Sequence, residues 1–392
     1  MTLRRVAVGA LLAALMASAG FGTYVLLGHF RKAEALRAAP PDPVQVHTSG
    51  PQLPGVVYLA QGGDLFALRG GAFTRIATHS GGAGWTMPSL TPDGRLLAVL
   101  RGPNSSDIYV LDRGSGAIQG RLTSDEAGKR PSDGSLELNH WAFYPHATAD
   151  GGTVVFSYDS PKCGFNSGLA IWSLPLPQAG AAITAPPTPR IVPGCSSESG
   201  LPQGTRLSTP NQYTGGDVSP VPVPVAGGVV FVRYAVDAQF HVHSTVQYQR
   251  GTADAGIALT AADDDCAEPA VSPDGTTLAL VCTHGSQAAA VETVALPPLP
   301  SSRTTPSSGS SRATASPSAS PVAPSVLVGG GLAAFPVWAP DGSGLAYLAP
   351  SAAGGGFQLW WLPRTATGAA SPVVITDKLD LDATSPPAWS AS

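Results

Sequence analysis

The sequence is poor in charged residues and in cysteine, and it lacks the common catalytic motifs. Charged side chains account for 12% of the 392 residues, and there are four cysteines. The chain contains no Gly-x-Ser-x-Gly nucleophile elbow, no His-Glu-x-x-His zinc motif and no phosphate-binding glycine loop. These absences exclude the enzyme classes that the motifs define. We therefore predict a non-enzymatic protein without a cofactor.

The small net charge is negative. Residues 1–50 carry five basic and two acidic side chains, which leaves 17 basic and 24 acidic side chains in the rest of the chain. A net negative surface repels the phosphate backbone of DNA and RNA. We expect no nucleic-acid partner.

Glycine and proline, in contrast, are abundant, with 46 and 38 residues. Both residues favour turns and interrupt helices. Hydrophobic residues make up 43% of the chain, an ordinary share for a globular protein that is sufficient for a large core. The composition therefore predicts a β-rich fold with many turns.

A long apolar run stands near the N-terminus. Residues 6–27 carry no charge, two arginines precede them, and three basic residues follow at positions 31, 32 and 37. This run is long enough to cross a hydrocarbon core of about 30 Å as a helix, whereas the apolar part of a cleaved signal peptide has about 7 to 15 residues. We predict three N-terminal segments: a cytoplasmic stub at 1–5, a transmembrane signal-anchor helix at 6–30 and a Pro-rich spacer at 31–54. The alternative is a signal peptide that is cleaved after the small residues 17–19.

A stretch that begins at Cys266 and ends at Cys282 has the pattern of two β-strands joined by a tight turn. The Pro-Asp-Gly sequence at 273–275 suits a three-residue hairpin loop, because proline fixes φ and glycine takes the left-handed conformation. Counting outward from this loop, Ala270 faces Leu278 and the two cysteines face each other. Directly opposed residues lie about 4.5 to 5.5 Å apart at Cα, which a disulfide bridges. The register predicts a Cys266–Cys282 disulfide.

Related hairpins recur along the chain at intervals of roughly 40 to 50 residues, each within a unit of four strands. The first unit, residues 55–77, has three strands, and residues 387–389 repeat the first strand of a unit. A terminal strand that completes the first unit closes the ring and removes the open edge. We predict an all-β fold, a six-bladed β-propeller over residues 55–392 with strand closure of blade 1 by the C-terminal strand, preceded by the N-terminal transmembrane helix.

Two blades depart from the regular spacing. A Ser/Thr/Pro/Ala tract at 299–324 separates the third and fourth strands of the fifth blade and is predicted to be a disordered insert. In the third blade, residues 189–192 (PRIV) are the predicted fourth strand.

These units resemble the TolB-like or WD40-like (PD40-type) propeller repeats. In those repeats an inner strand ends in Pro-x-Trp-Ser-Pro-Asp-Gly, and a Leu/Ala/Phe-rich strand and an Ile-Tyr-Val-like strand follow. The match is good at 88–112, 269–282 and 336–362, and poor at 141–260, where Pro-Asp-Gly is absent. The resemblance implies the propeller fold and carries little information about function.

All four cysteines lie after the apolar run. Cys163 and Cys195 fall in two loops at the same end of the third blade, so we predict that they form a second disulfide. An even set of cysteines with an opposed pair is typical of an oxidising compartment, and the alternative is four buried free thiols. We predict a cell-membrane protein with a single span and an extracytoplasmic propeller, in a bacterial-type envelope.

Two groups of side chains are weak candidates for metal binding. Asp263, Asp264 and Asp265 offer oxygen ligands, but they lack the spacing of a calcium loop, and an acidic run before a strand is typical of a solvated edge. His241 and His243 lie on one face of a predicted strand, but no third ligand is identifiable. The sequence therefore predicts no metal site.

Aromatic residues near the predicted axial opening allow two interpretations. Trp85, Trp141, Tyr213 and Trp389 have rings that stack on sugars or anchor peptides, but tryptophan on an inner strand more often packs between blades. The leading hypothesis is a membrane-anchored module that binds or scaffolds a protein partner in the envelope, or binds a small ligand at the propeller face. The alternatives are a propeller-based carbohydrate-active lyase or hydrolase, and an envelope ligand sensor that acts with a membrane partner.

Overall fold

A computed structural model describes residues 51–79, 81–125, 140–159, 168–185, 203–211, 216–252, 256–285, 287–297, 324–352, 355–364 and 371–391. The predicted stub and anchor, most of the spacer, Cys163, Cys195 and residues 299–323 of the predicted insert lie outside this part of the chain. Within it, no helix is both long enough and apolar enough to cross a membrane. The proposals for the N-terminal segments, the insert and the second disulfide therefore stay predictions.

The described strands form six four-stranded antiparallel sheets, which are the six predicted blades. Blade 1 contains β1 (Val56–Gln61), β2 (Asp64–Arg69) and β3 (Ala72–Ala77). Blade 2 contains β4 (Gly84–Leu90), β5 (Leu96–Arg101), β6 (Ser106–Leu111) and β7 (Ile118–Arg121). Blade 3 contains β8 (Ala142–Ala147), β9 (Thr153–Tyr158), β10 (Ala170–Pro175) and β11 (Thr205–Arg206). Blade 4 contains β12 (Asp217–Pro222), β13 (Val229–Val236), β14 (Val242–Gln249) and β15 (Ile257–Ala258). Blade 5 contains β16 (Cys266–Val271), β17 (Thr277–Cys282), β18 (Ala290–Ala295) and β19 (Ser325–Val328). Blade 6 contains β20 (Ala334–Trp338), β21 (Gly344–Pro350), β22 (Phe357–Pro363) and β23 (Val373–Val374). A short β24 (Ala388–Ser390) follows, and a 3₁₀ turn, Ala262–Asp264, precedes β16.

The hydrophobic core lies between the blades rather than inside any single sheet. Strands β5, β9 and β17 are buried along almost their whole length. Between blades 2 and 3, for example, Val99 and Ile108 belong to the same buried cluster as Phe156, Tyr158 and Trp172. Because each second strand is covered on both faces, its sequence is a continuous apolar run instead of an alternating pattern.

The C-terminal strand completes blade 1, as the sequence predicts. β24 pairs with β1 in the register Val56 with Ser390, Val57 with Trp389, and Tyr58 with Ala388. The indole Nε1 of Trp389 donates a hydrogen bond to the Pro54 carbonyl at 2.7 Å. The two ends of the described propeller are therefore joined in one sheet, which gives blade 1 four strands like the other blades.

The hairpin that contains Cys266 and Cys282 differs in detail from the prediction. The Ser272 N–H donates to the Thr277 carbonyl at 2.8 Å, and Ala270 faces Ala279 rather than Leu278, so the loop has four residues instead of three. A β-bulge between Ala267 and Ala270 absorbs the extra residue. The cysteines consequently still face each other, and a disulfide joins them with a Cα–Cα distance of 4.1 Å.

The same inner-strand bulge occurs in five blades. In each, one non-glycine residue has a positive φ, between 44° and 55°, and a proline follows it: Met87, Tyr144, Ser219, Glu268 and Phe335. Proline is tolerated there because a bulge removes one hydrogen bond of the ladder. In the closing strand of blade 1, the aligned position is Pro386, whose ring does not permit a positive φ.

The fourth strand of blade 3 is a correction to the sequence analysis. Thr205–Arg206 pairs with β10 and occupies the outermost position of this sheet. Residues 189–192, the predicted fourth strand, lie outside the described residues. A strand of two residues shows no periodicity, so the pattern analysis had no signal to detect it.

We predict that the Cys266–Cys282 disulfide stabilises the fold by about 3 kcal/mol, because it closes a short loop in the unfolded chain. Either Cys266→Ser or Cys282→Ser should lower the free energy of unfolding, measured by urea titration, by this amount. The double variant serves as the control: it should lose no more than either single variant, since one substitution already breaks the bond. Additive losses would contradict the prediction.

Candidate functional site

A cavity that is partly open to solvent lies on the axis of the propeller. Its volume is about 290 Å³, and its lining residues come from the innermost strands of all six blades. Prolines of the inner strands form much of the wall, together with the rings of Phe335, Trp338 and Trp389. Among the described lining residues, Glu268 and His146 are the two that titrate.

The bulge residues connect neighbouring blades around the axis. The Met87 N–H donates to the Ser385 hydroxyl at 2.7 Å, and the Tyr144 N–H donates to the Met87 Sδ at 3.4 Å. The Phe335 N–H donates to Glu268 Oε2 at 2.6 Å, and the Tyr144 and Phe335 rings lie 6.3 Å apart. At these three bulges, a backbone N–H is thus directed toward a side chain of the adjacent blade.

Burial shifts the protonation equilibria of the axial side chains. Desolvation raises the pKa of Glu268 to about 7, and the hydrogen bond from Phe335 opposes this shift. Desolvation, followed by the charge of Glu268, raises the pKa of Tyr144 to about 12. Surrounding protein atoms lower the pKa of His146 to about 4, although the imidazole is partly accessible through the cavity. At neutral pH the axis therefore holds His146 in its neutral form and the Glu268 carboxyl near the midpoint of its titration.

A second group of polar side chains lies on the hairpin of blade 4. Strands β13 and β14 have eight residues each, whereas the second and third strands of the other blades have six or seven. The Asp237 N–H donates to the His241 carbonyl at 3.0 Å, and the Phe240 N–H donates to the Asp237 carbonyl at 3.1 Å. Asp237 Oδ1 accepts the backbone N–H groups of Gln239 and His241, both at 2.8 Å. The loop between the strands, the hairpin tip (residues 236–242), is thus held by its own backbone.

The hairpin tip brings together some of the predicted metal candidates. Asp237 Oδ2 lies 3.2 Å from His241 Nδ1 and 3.2 Å from His243 Nε2. His243 Nδ1 lies 3.2 Å from Asp265 Oδ1. We call these four residues the blade 4 cluster. Asp237 was missed by sequence analysis, although its spacing to the histidines, Asp-x-x-x-His-x-His, was a usable signal.

The other two acidic candidates do not join this cluster. Asp264 Oδ1 lies 3.3 Å from His284 Nδ1, and His284 Nε2 lies 2.8 Å from Glu292 Oε1. Asp263 is exposed in the 3₁₀ turn. Cys282 is close to His284 and Glu292, but its sulfur is engaged in the disulfide, so no thiolate is available there.

Charge interactions set the pKa values in the blade 4 cluster. The backbone N–H of His241 lowers the pKa of Asp237 to about 2, and the imidazoles of His243 and His241 assist. Hydrogen bonding to Asp237 is the main cause that raises the pKa of His243, and Asp265 acts in the same direction. The cluster therefore combines an ionised Asp237 carboxylate with the His243 imidazole, which faces both Asp237 and Asp265.

The aromatic candidates act mainly in packing. Trp85 is buried, and its Nε1 donates to the Thr78 carbonyl at 3.0 Å while its ring meets Tyr109 edge-on. Trp389 is buried against Trp361 at a centroid distance of 5.3 Å. Trp141 is half-buried, and Tyr213 lies outside the described residues.

The fold is a six-bladed β-propeller, and it is similar to the fold of solved TolB proteins. The solved TolB from Acinetobacter baumannii is similar, with 15% identity and a TM-score of 0.56 over 86% of this chain and 66% of that chain. A putative TolB from Agrobacterium tumefaciens is also similar, with 11% identity and a TM-score of 0.52 over 86% of this chain and 94% of that one.

These likenesses establish the fold alone. The chain also aligns with a puromycin hydrolase over 88% of its own length and 55% of that chain, with 13% identity, but the TM-score of 0.46 is too low to carry an argument. No protein-family model and no curated protein matches the sequence.

We predict that Glu268 makes the stability of the protein fall as pH rises. Its pKa is about 7 in the fold and returns to about 4.5 on unfolding, so between these values the unfolded chain binds fewer protons. The stabilisation is complete below pH 4.5 and is lost as pH rises through 7. Urea titrations from pH 5 to 8 should show this decline in the wild type and a flatter profile in Glu268→Gln.

The control is Asp341→Asn, which removes a turn carboxylate whose pKa is lowered by its hydrogen bonds to Ser343. This variant should keep the wild-type slope above pH 5. An unchanged slope in Glu268→Gln would show that another group causes the decline.

Proposed function

We propose that this chain is a single-pass, membrane-anchored propeller on the extracytoplasmic side of a cell envelope, where it binds a protein partner through the hairpin tip of blade 4. The observation that carries the binding role is the exposure of apolar side chains at this tip. The membrane location rests on separate evidence from the sequence and from the disulfide.

The apolar tip is the main support for a protein partner. Phe240 is 87% exposed, and Val242 and Val236 at its base are 56% and 38% exposed. Contiguous apolar side chains on an otherwise polar surface are typical of protein interaction sites, because their transfer out of water drives association. Phe240 also has a φ of 64°, which is unfavourable for a bulky residue, and the hydrogen bonds of Asp237 hold this conformation.

The hairpin is well suited to present these side chains rigidly. Val230, Val232 and Val246 in the inner part of β13 and β14 are fully buried. The pairing of the two strands continues outward to Val236 and Val242. A binding segment on a paired hairpin loses less conformational entropy on association than a loop of the same length.

The disulfide supports the extracytoplasmic location. Such bonds persist in oxidising compartments and are rare where glutathione and thioredoxin keep thiols reduced. The Cys266–Cys282 disulfide lies in the same chain as the uncharged run at 6–27, which has the length of a membrane span. The likeness to the TolB structures supports a binding module through the fold, and identifies no partner.

The axial cavity favours a second candidate, a small ligand bound at the propeller axis. A carboxyl with a pKa near 7 is suited to accept or donate a proton at neutral pH, which is also what a lyase or hydrolase requires. The cavity ranks second because its wall is mainly proline and aromatic rings, with His146 as the other described titratable group.

We predict that the intact chain is retained in membranes by its first 30 residues. After an alkaline wash, full-length protein should sediment with the membranes, and a chain that starts at residue 31 should not. The intact mass of the membrane-bound form should include residues 6–27. A soluble product that begins shortly after residue 19 would instead identify a cleaved signal peptide, and would contradict the anchor without affecting the binding proposal.

We predict that Phe240→Ser weakens partner binding at least tenfold. The substitution removes a ring that the partner would bury as an anchor of the interface. A photo-crosslinking amino acid at position 240 of the full-length chain, in native membranes, would first capture the partner for identification by mass spectrometry. The purified partner would then be titrated against wild type and Phe240→Ser.

The matched control is Ile118→Ser, since Ile118 is another exposed apolar residue, 59% exposed, on the outermost strand of blade 2. This variant should bind like the wild type. Equal affinity for Phe240→Ser and wild type would overturn the proposal for the blade 4 tip.

A further inference from the structure

We propose that Asp237, His241 and His243 form a binding site for a divalent transition-metal ion of the zinc class, with Asp265 as the residue that orients His243. Two imidazole nitrogens and one carboxylate oxygen are a ligand set that proteins use for zinc. This site is additional to the protein-binding role, and neither proposal depends on the other.

The distances in the blade 4 cluster fit a metal ion. Zinc binds nitrogen and oxygen ligands at about 2.0 to 2.1 Å in tetrahedral geometry, so its ligand atoms are about 3.3 Å from one another. Asp237 Oδ2 lies 3.2 Å from His241 Nδ1 and 3.2 Å from His243 Nε2. One ligand atom from each of the three residues lies within 4.8 Å of the others. A small rotation of the exposed His241 ring would bring its ligand nitrogen to the tetrahedral spacing from that of His243.

The same separations also suit hydrogen bonds, which a metal ion would replace. Both contacts of Asp237 Oδ2 are within hydrogen-bonding distance, as is the 3.3 Å contact of His284 Nδ1 with Asp264 Oδ1. One carboxylate oxygen that faces two imidazole nitrogens at about the spacing of tetrahedral co-ligands needs little rearrangement when an ion replaces the shared protons.

The backbone fixes Asp237 in the orientation that a ligand needs. Its Oδ1 accepts the N–H groups of Gln239 and His241, both at 2.8 Å, which leaves Oδ2 directed at the two imidazoles. The Asp237 N–H donates a hydrogen bond to the His241 carbonyl, so the ligands Asp237 and His241 are held at opposite ends of one tight turn. Little ordering remains to be done when an ion binds.

Asp265 supplies the outer contact that metal-binding histidines require. His243 Nδ1 lies 3.2 Å from Asp265 Oδ1, and the same oxygen accepts the Ser244 N–H at 3.1 Å. A carboxylate that accepts the Nδ1–H of an imidazole fixes the tautomer that offers Nε2 to the metal and raises its basicity. The second carboxylate also balances the charge of the ion.

The geometry leaves the fourth coordination position open to solvent. His241 has a side chain that is 72% exposed, whereas those of Asp237 and His243 are 29% and 26% exposed. A water molecule would complete a tetrahedron on this side. The site is therefore accessible to an ion from solution.

Zinc binding by the full-length protein tests the proposal. Isothermal titration with zinc ion alone, in a buffer without chelators or phosphate, should give binding at this site that is weakened at least tenfold in Asp237→Asn, His241→Ala and His243→Ala. Asp265→Asn should weaken it by about 10- to 100-fold, as expected for an outer-shell partner. Cobalt bound in place of zinc should show the visible absorption of a four-coordinate site in the wild type and not in His243→Ala.

Two histidines outside the site provide the controls. His79→Ala and His284→Ala remove imidazoles that pair with carboxylates elsewhere, and both variants should keep the wild-type affinity for zinc. Absence of zinc binding, or binding that persists in His241→Ala and His243→Ala, would overturn the proposal and leave the cluster as an ion-paired turn. Phe240→Ser should bind zinc normally, so failure here is distinct from failure of the partner proposal.

Discussion

The pairing of β24 with β1 is the interaction on which the rest of the structure depends. Each blade buries its faces only against its neighbours, so an open ring would expose the apolar faces of the first and last blades together. Trp389 contributes to this junction twice, since it pairs within blade 1 and its ring contacts Trp361 of blade 6. Closure therefore couples the stability of all the blades to a strand of three residues.

The inner-strand bulge links this ring to the chemistry of its axis. The innermost strand of each blade has a partner strand on one side only, so the N–H groups on its other side do not belong to the ladder. The bulge at Glu268 changes the register and places the carboxylate where the Phe335 N–H of the adjacent blade donates to it. Burial at this axial position raises the pKa of Glu268, and the hydrogen bond from Phe335 between the blades opposes the rise.

The sequence predicted the fold well because the Pro-Asp-Gly turns and the terminal repeat are local signals. It failed where two local effects compensate: the extra turn residue and the bulge cancel, so Cys266 faces Cys282 although the predicted loop was too short. The missed strand Thr205–Arg206 did have a signal of another kind. In four blades, a Ser or Thr two residues after the fourth strand has a hydroxyl that accepts an N–H of the third strand, as Thr123 does for Ile108 and Ser208 does for Ile171. Asp237 was missed because its role arises from closure of a turn, which strand periodicity does not describe.

The candidate site on blade 4 lies in a part of the repeat that the ring does not require. In β13 and β14, the inner residues are buried and must be apolar, whereas most residues from Val236 to Val242 are exposed. Substitution there costs little packing energy, so the tip can hold an exposed phenylalanine and a cluster of histidine and aspartate. The polar chemistry is therefore concentrated where packing does not restrict the choice of side chain.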